Sequence, residues 1–347
     1  MFFGLAAIYS LQINIDDPDF SMLKRQVVFV ASGLVLFFIF SSINYQFWSD
    51  YYKIFLIVSF ILLTGVLIVG KTFSGTQGWF EFWGQTVQPV EFVKIALVIF
   101  LARYFSQHIK DTRAIKHILI TGAVSFSLVI LVILQPDFGS AMILLVIWLA
   151  IIFLLPLKKK YFINLILWLL ILAVISWFFV LKDYQQERIL TFISPQRDPL
   201  GASYNVTQSV IAVGSGNLIG RGLALGSQSQ LNFLPAQQTD FIFAVIAEEL
   251  GFIGAGILLL LFMSLFYRLY KIVINTQDSF GIFVIIGCTT FLVSHLFVNI
   301  GMNVGLAPVV GLPLPLVSSG GSSLIATMMA LGIVNNIHLR NKEKYFG

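Results

Sequence analysis

The chain has 347 residues, 58% of them hydrophobic and only 11% charged, with a formal net charge of +5. Soluble domains carry about 25% charged residues, so this composition lacks the polar surface to cover a soluble globule of this size. The 21 Lys and Arg residues are dispersed among short segments rather than gathered into a stripe, a pattern that orients a chain in a membrane and argues against a nucleic-acid partner.

In chain order, apolar runs at 1–13, 26–43, 54–70, 90–106, 118–134, 139–156, 162–181, 240–268, 280–302 and 320–338 predict ten helical crossings of a hydrocarbon core about 30 Å thick. The first, MFFGLAAIYSLQI, has neither the basic n-region nor the cleavage site of a signal peptide, and reads as the outer half of a helix whose cytoplasmic half is missing. The expected fold class is therefore all-α, a polytopic integral membrane protein. It is a single domain over 1–347, with a large extracytoplasmic loop at 182–239 between helices 7 and 8.

Ten crossings put both termini on one side. Thirteen Lys and Arg residues fall on that side and seven on the other, while Lys94 lies inside a helix. Basic excess marks the cytoplasmic face, so both termini are expected inside, and 71–89, 182–239 and 303–319 outside. The cluster Lys158–Lys160 fits this orientation, and binding to anionic lipid is a second reading of it.

The outer segments are unusual. Residues 71–89 carry Trp79, Phe80, Phe82 and Trp83, the composition of an interfacial aromatic belt. Within 182–239, Val206, Val210 and Val213 recur at helical spacing and predict a short amphipathic helix over 203–213. The stretch Ala307–Ser323, APVVGLPLPLVSSGGSS, holds three prolines and three glycines. Such backbone is tolerated at membrane depth only beside protein or a wet cavity, so a cavity open to the outer face is implied.

Chemistry-bearing groups are few. Glu91 and Lys94 share a helical face just after Gln88-Pro89. A structural ion pair and a functional pair beside a cavity both fit, since ionisable groups within a membrane helix are costly unless they face a bundle interior or water. Asp137 stands in QPDFGSA, a break between two apolar helices. Glu248 and Glu249 lie about 12–13 Å along the helix from Asp240, a depth that demands pairing, protonation or hydrogen bonding. Asp240 follows Thr239, a candidate N-cap, which places the acid in the first turn of a helix. There it either complements the helix dipole or, held ionised at a cavity mouth, takes a proton from a hydroxyl or holds a divalent cation.

Other patterns carry nothing. Gly214–Gly220 has the wrong glycine spacing for a dinucleotide fingerprint and lacks its strand–helix context. The four histidines show no metal-ligand spacing, and His295 reads as a satisfied intramembrane histidine. Cys288 is the sole cysteine, so no intrachain disulfide exists.

Several longer segments occur in fixed order: QPVEFVKIA (88–96), QPDFGSA (135–141), DYQQERI (183–189), DPLGASYNVTQSVIAVGSG (198–216), GSQSQLNFLP (226–235), TDFIFAVIAEELG (239–251), VNIGM (298–302) and GLPLPLVSSGGSS (311–323). On these the chain resembles the SEDS family (shape, elongation, division and sporulation) over nearly its whole length, and its RodA-type elongation branch more than the division branch. The resemblance implies ten membrane helices and a glycosyltransferase that polymerises lipid II. It places the family's essential acid on Asp240 and its membrane Glu/Lys pair on Glu91 and Lys94. It further implies a class B penicillin-binding protein as partner, the bacterial inner membrane as location and a divalent cation, Mg2+ or Mn2+, for which Asp240 is the candidate ligand. Ala236-Gln237-Gln238, Ser319 and Gly78 depart from the family's usual acidic or basic residues, tyrosine and basic residue, so no role is carried onto them.

The implied chemistry is an inverting displacement of undecaprenyl pyrophosphate by a sugar 4-hydroxyl. One base suffices, because pyrophosphate is a good leaving group that needs only charge neutralisation. Asp240 is then the base or a cation ligand, Lys94 and Arg188 meet the pyrophosphate, and Glu91 orients Lys94. A lipid II flippase is the competing reading, since intramembrane charges and broken outer turns also suit a transporter.

Overall fold

The computed structural model describes residues 1–13, 20–73, 75–82, 84–108, 114–155, 158–179, 181–194, 202–231 and 233–346. Trp83, Asn232 and the segment 198–201 of the motifs above lie outside them, as do three of the basic residues counted for orientation, Lys110, Arg113 and Arg197. A helix stands at each of the ten predicted segments: α1 (Phe2–Ile13), α2 (Ser21–Ser42), α4 (Tyr52–Val69), α5 (Pro89–His108), α6 (Ala114–Leu134), α7 (Phe138–Phe153), α8 (Lys159–Phe179), α12 (Ile242–Asn275), α13 (Ser279–Asn303) and α14 (Gly321–Phe346). Seven of these are long and apolar enough to span a membrane. Of the rest, α1 and α7 are apolar but have only 12 and 16 residues, and α5 carries Glu91, Lys94 and Arg103. The protein is a multi-pass membrane protein.

Burial shows which helices face lipid. On α4, Ile54, Ile57, Ile61 and Ile68 are all exposed, an apolar face that only hydrocarbon or another protein would cover. In contrast, α5 is buried around almost its whole circumference. It forms the centre of the larger core with α6, α7, α13 and α14. A second core gathers α1, α10 (Ala202–Ser215) and the first half of α12.

Two features depart from the sequence expectation. Residues 71–87 are not an irregular loop, and the chain is not purely helical. β1 (Lys71–Phe73), β2 (Thr76–Phe82) and β3 (Gln85–Val87) form an antiparallel sheet in the order β1-β2-β3. An ion pair of 2.5 Å joins Lys71 on β1 to Glu81 on the central strand β2. A short helix, α3 (Tyr45–Asp50), lies between α2 and α4, and the large loop is also structured, with α9 (Asp183–Ile193), α10 and the single turn α11 (Ser227–Gln230). The amphipathic helix expected over 203–213 is α10.

The second departure lies within α12. Its path breaks at Gly251, which adopts φ 65°, ψ −166°, a region open essentially to glycine alone. The break strands backbone groups at membrane depth, and the loop before α12 satisfies them. The amides of Phe252 and Ile253 donate to the Asn217 and Leu218 carbonyls (2.9 and 3.1 Å), and the Arg221 and Gly222 amides donate to the Glu248 and Glu249 carbonyls, both at 3.0 Å. The carboxylates complete the seam. Glu248 accepts from the Gln228 and Ser229 amides at 2.8 and 3.0 Å. Glu249 accepts from the Ala224 amide at 3.2 Å and from the Ser10 hydroxyl of α1. Both acids therefore serve the architecture, the hydrogen bonding that their depth demanded. A Cβ on Gly251 would stand 2.2 Å from the Gly220 nitrogen. Gly251→Ala is expected to cost roughly 1–3 kcal/mol from backbone conformation alone, with the steric clash in addition, read as a lowered midpoint of thermal unfolding in detergent.

Candidate active site

Asp240 stands in a turn, and α12 starts only at Ile242 with Phe241 as its N-cap. The expected Thr239 cap and first-turn position are thus corrected by two residues. The reason is the preceding PAQQ turn, in which Ala236 takes φ 49° and its carbonyl accepts from the amides of Thr239, Asp240 and Phe241 at 3.1–3.3 Å. With its amide so engaged, Asp240 belongs to that turn and not to the helix.

The backbone of Asp240 is clamped from α13. Asn299 and Asn303, one turn apart and fully buried, both donate through Nδ2 to the Asp240 carbonyl, at 3.0 and 2.9 Å. Asn303 Oδ1 also accepts from the Ala244 amide at 3.0 Å, capping the free end of α12. A strap formed by residues 311–319 closes the other side. Ser318 donates through Oγ to the Thr239 carbonyl at 2.6 Å, the Ser319 amide donates to the Gln238 carbonyl at 2.8 Å, and Asn299 Nδ2 donates to the Leu312 carbonyl at 2.8 Å. Gly311, at φ 70°, abuts the carboxylate: a Cβ there would lie 3.7 Å from Asp240 Oδ2.

Asp240 as a residue is half-buried. Burial raises its pKa to about 6, opposed by the guanidinium of Arg188 and by a hydrogen bond from Thr239. Arg188 extends from α9, donates to the Val309 carbonyl at 3.4 Å and lines two adjoining cavities. The smaller is bounded by Asp137, Gln185 and Thr76. The larger, about 380 Å³, is walled by Phe192, Val206, Val210, Ile211 and Val304, so two of the three valines predicted as one face of α10 line an apolar groove, while Val213 packs against the second core. Pro308 and Val309 line both cavities, as the broken 307–323 backbone implied, but Asp240 is not among the lining residues of either.

Glu91 and Lys94 are in direct contact, Nζ to Oε1 at 2.8 Å, and are 1% and 0% exposed. The ammonium also reaches His295 Nε2 at 3.0 Å and lies 5.7 Å from the Phe291 ring centre. Asp137 caps α7, accepting from the Ser140 amide at 2.9 Å and from Gln88 Nε2 at 3.0 Å. The structure therefore brings Arg188 near Asp240, but it sets the Glu91–Lys94 pair inside the bundle, where Lys94, 0% exposed and lining neither cavity, is closed off from the pyrophosphate that the sequence reading had it meet.

Among the described residues no group of three or more His, Cys, Asp or Glu side chains converges as a metal site, and Asp240 shares its surroundings with a guanidinium. These donors do not make a divalent-cation site by themselves. The clamp of Asn299 and Asn303 was missed from sequence, although two asparagines four apart near the end of an apolar helix are a readable signal of buried polar work.

The profile of FtsW/RodA/SpoVE cell cycle proteins matches residues 1–343. The chain belongs to that family. It is 39% identical to the peptidoglycan glycosyltransferase MrdB of Escherichia coli K12 over 327 residues, 93% of this chain and 87% of that protein. Its fold is similar to a chain in the solved structure "Structural coordination of polymerization and crosslinking by a peptidoglycan synthase complex", with TM-score 0.81 and 30% identity over 100% of this chain and 97% of that one. It is also similar to the crystal structure of the rod shape determining protein RodA of Thermus thermophilus, with TM-score 0.72 and 27% identity over 98% and 93% of the two chains.

Proposed function

We infer that this protein is a peptidoglycan glycosyltransferase of cell elongation that polymerises lipid II. The observation that carries the reading is one carboxylate, Asp240, whose backbone is immobilised from α13 while its side chain stays reachable beside Arg188. A site with one fixed acid and one nearby cation suits a displacement in which the leaving group needs charge neutralisation but no proton.

In that reaction the 4-hydroxyl oxygen of the acceptor sugar forms a bond to the anomeric carbon of the donor. The bond from that carbon to the pyrophosphate oxygen breaks with inversion. The hydroxyl proton goes to Asp240, and the leaving pyrophosphate keeps the electron pair. Arg188 neutralises the charge that develops there, and its fork of donors matches phosphate oxygens. The apolar groove beside Arg188 suits the isoprenoid tail of the same lipid. Lys94 and Glu91 serve this site from within the bundle, through His295 and the Pro313 carbonyl.

The protein is placed in the bacterial inner membrane with both termini cytoplasmic and Asp240 facing outward, in line with the distribution of its basic residues. A class B penicillin-binding protein, whose transpeptidase crosslinks the new strand, is its proposed partner. The structural relative from a synthase complex that coordinates polymerization and crosslinking supports that pairing. Incubating the purified complex with lipid II in detergent tests the function, because no bilayer remains to be crossed. Glycan polymer is expected; lipid II transport across vesicles with no polymer in detergent would replace this reading with a flippase.

A further inference from the structure

We propose that His295 is a positioning residue that couples the buried Glu91–Lys94 pair to the placement of Asp240. This inference rests on the reading of Asp240 as the reacting acid.

The hydrogen bonds fix the protonation of the ring. An ammonium only donates, so His295 Nε2 accepts from Lys94 at 3.0 Å. The partner of the other nitrogen is the Pro313 carbonyl at 3.3 Å, which only accepts, so Nδ1 carries the hydrogen. His295 is thus neutral, with one tautomer set by Lys94. Phe291 packs edge-on against the ring, with centroids 4.9 Å apart and planes at 74°, and holds its orientation.

Pro313 belongs to the strap that walls Asp240. Two prolines, 313 and 315, leave this strap short of backbone donors, and the carbonyls of Leu312 and Pro313 take theirs from α13 side chains, Asn299 and His295. His295, Asn299 and Asn303 recur every four residues, a buried stripe with steps of about 6 Å along the helix. All three are 0% exposed. The lower end of the stripe holds the ion pair, the middle holds the strap, and the upper end holds the Asp240 carbonyl and the start of α12. Gly311, two residues before Pro313, is the strap residue that faces the Asp240 carboxylate. A chain of direct contacts therefore runs from Glu91 through Lys94, His295 and Pro313 to the wall of the site. Lys94 acts on the reaction by holding the strap in place.

A histidine that merely satisfies Lys94 and one that positions the strap give different results. His295→Leu removes both bonds. His295→Gln keeps an oxygen to accept from Lys94 and an amide to donate to Pro313. The purified wild type and both variants, each with its partner, are compared in two ways: lipid II polymerisation kinetics in detergent, and hydrogen exchange of peptides covering 309–319 and 236–241. For His295→Leu we expect faster exchange in both peptides and a fall in kcat on the order of 10²-fold, as misplacement of a reacting group by about 1 Å produces, with KM changed far less. His295→Gln should recover most of both. Unchanged exchange in 309–319 in His295→Leu would overturn the proposal. So would a His295→Gln protein as impaired as the leucine variant. If the wild type itself made no polymer while His295→Leu still loosened the strap and Asp240 peptides, the coupling would stand and the polymerase reading would fall.

Discussion

Asp240→Asn is expected to abolish measurable glycan synthesis while leaving the fold intact. The bonds from α13 and from the PAQQ turn hold this residue by its backbone: the carbonyl accepts from Asn299 and Asn303, and the amide donates to Ala236. Replacing the carboxylate by an amide touches none of these bonds, so the thermal midpoint should stay near that of the wild type. What disappears is the proton acceptor. Loss of a positioned general base costs about 10²–10⁴ in rate, and binding by Arg188 and the apolar groove remains. The measurement is the initial rate of polymerisation together with the melting curve. A rate within a few-fold of wild type would remove Asp240 from the chemistry.

Lys94→Met should have the largest effect on stability. It leaves the Glu91 carboxylate, 1% exposed, without its counter-charge, and it deprives His295 Nε2 of its donor. Removing one partner of a buried pair costs about 3–5 kcal/mol, whereas replacing both partners by apolar groups of similar size is often close to neutral. The double variant Glu91→Leu/Lys94→Met should therefore melt above Lys94→Met alone. It should still polymerise poorly, because His295 Nε2 has lost the donor that holds the ring against the strap. A double variant with full activity would show that the pair is structural only. Equal melting of Lys94→Met and wild type would show that the pair contributes nothing to the bundle.

Much of this was legible in the chain itself. The apolar runs gave the helices because each must satisfy its own backbone in lipid, and Val206, Val210 and Val213 gave α10 and with it one wall of the groove. What escaped was set by contacts between distant segments. The sheet at 71–87 is built from strands of three to seven residues, too short to outweigh their aromatic content. Gly75 and Gly84, at φ 85° and 74°, were the hairpin signals. The displacement of Asp240 from α12 comes from the αL residue Ala236, which nothing in PAQQTD announces. The break at Gly251 is repaired by residues 217–222, and the clamp at Asn299 and Asn303 acts on a residue about 60 positions away. Neither pairing has a local pattern. The Glu91–Lys94 spacing predicted the ion pair, but only the fold shows His295 as its third member.

The pH dependence of polymerisation tests the central claim most directly. Asp240 must be ionised to accept a proton, and burial raises its pKa to about 6 against the pull of Arg188 and Thr239. At lipid II well below its KM the rate reports kcat/KM and so the groups of the free protein; it should be level above pH 7 and fall about tenfold per pH unit once the pH drops below about 6. A rate that stays level down to about pH 4.5, near the ordinary carboxylate range, would contradict Asp240 as the base.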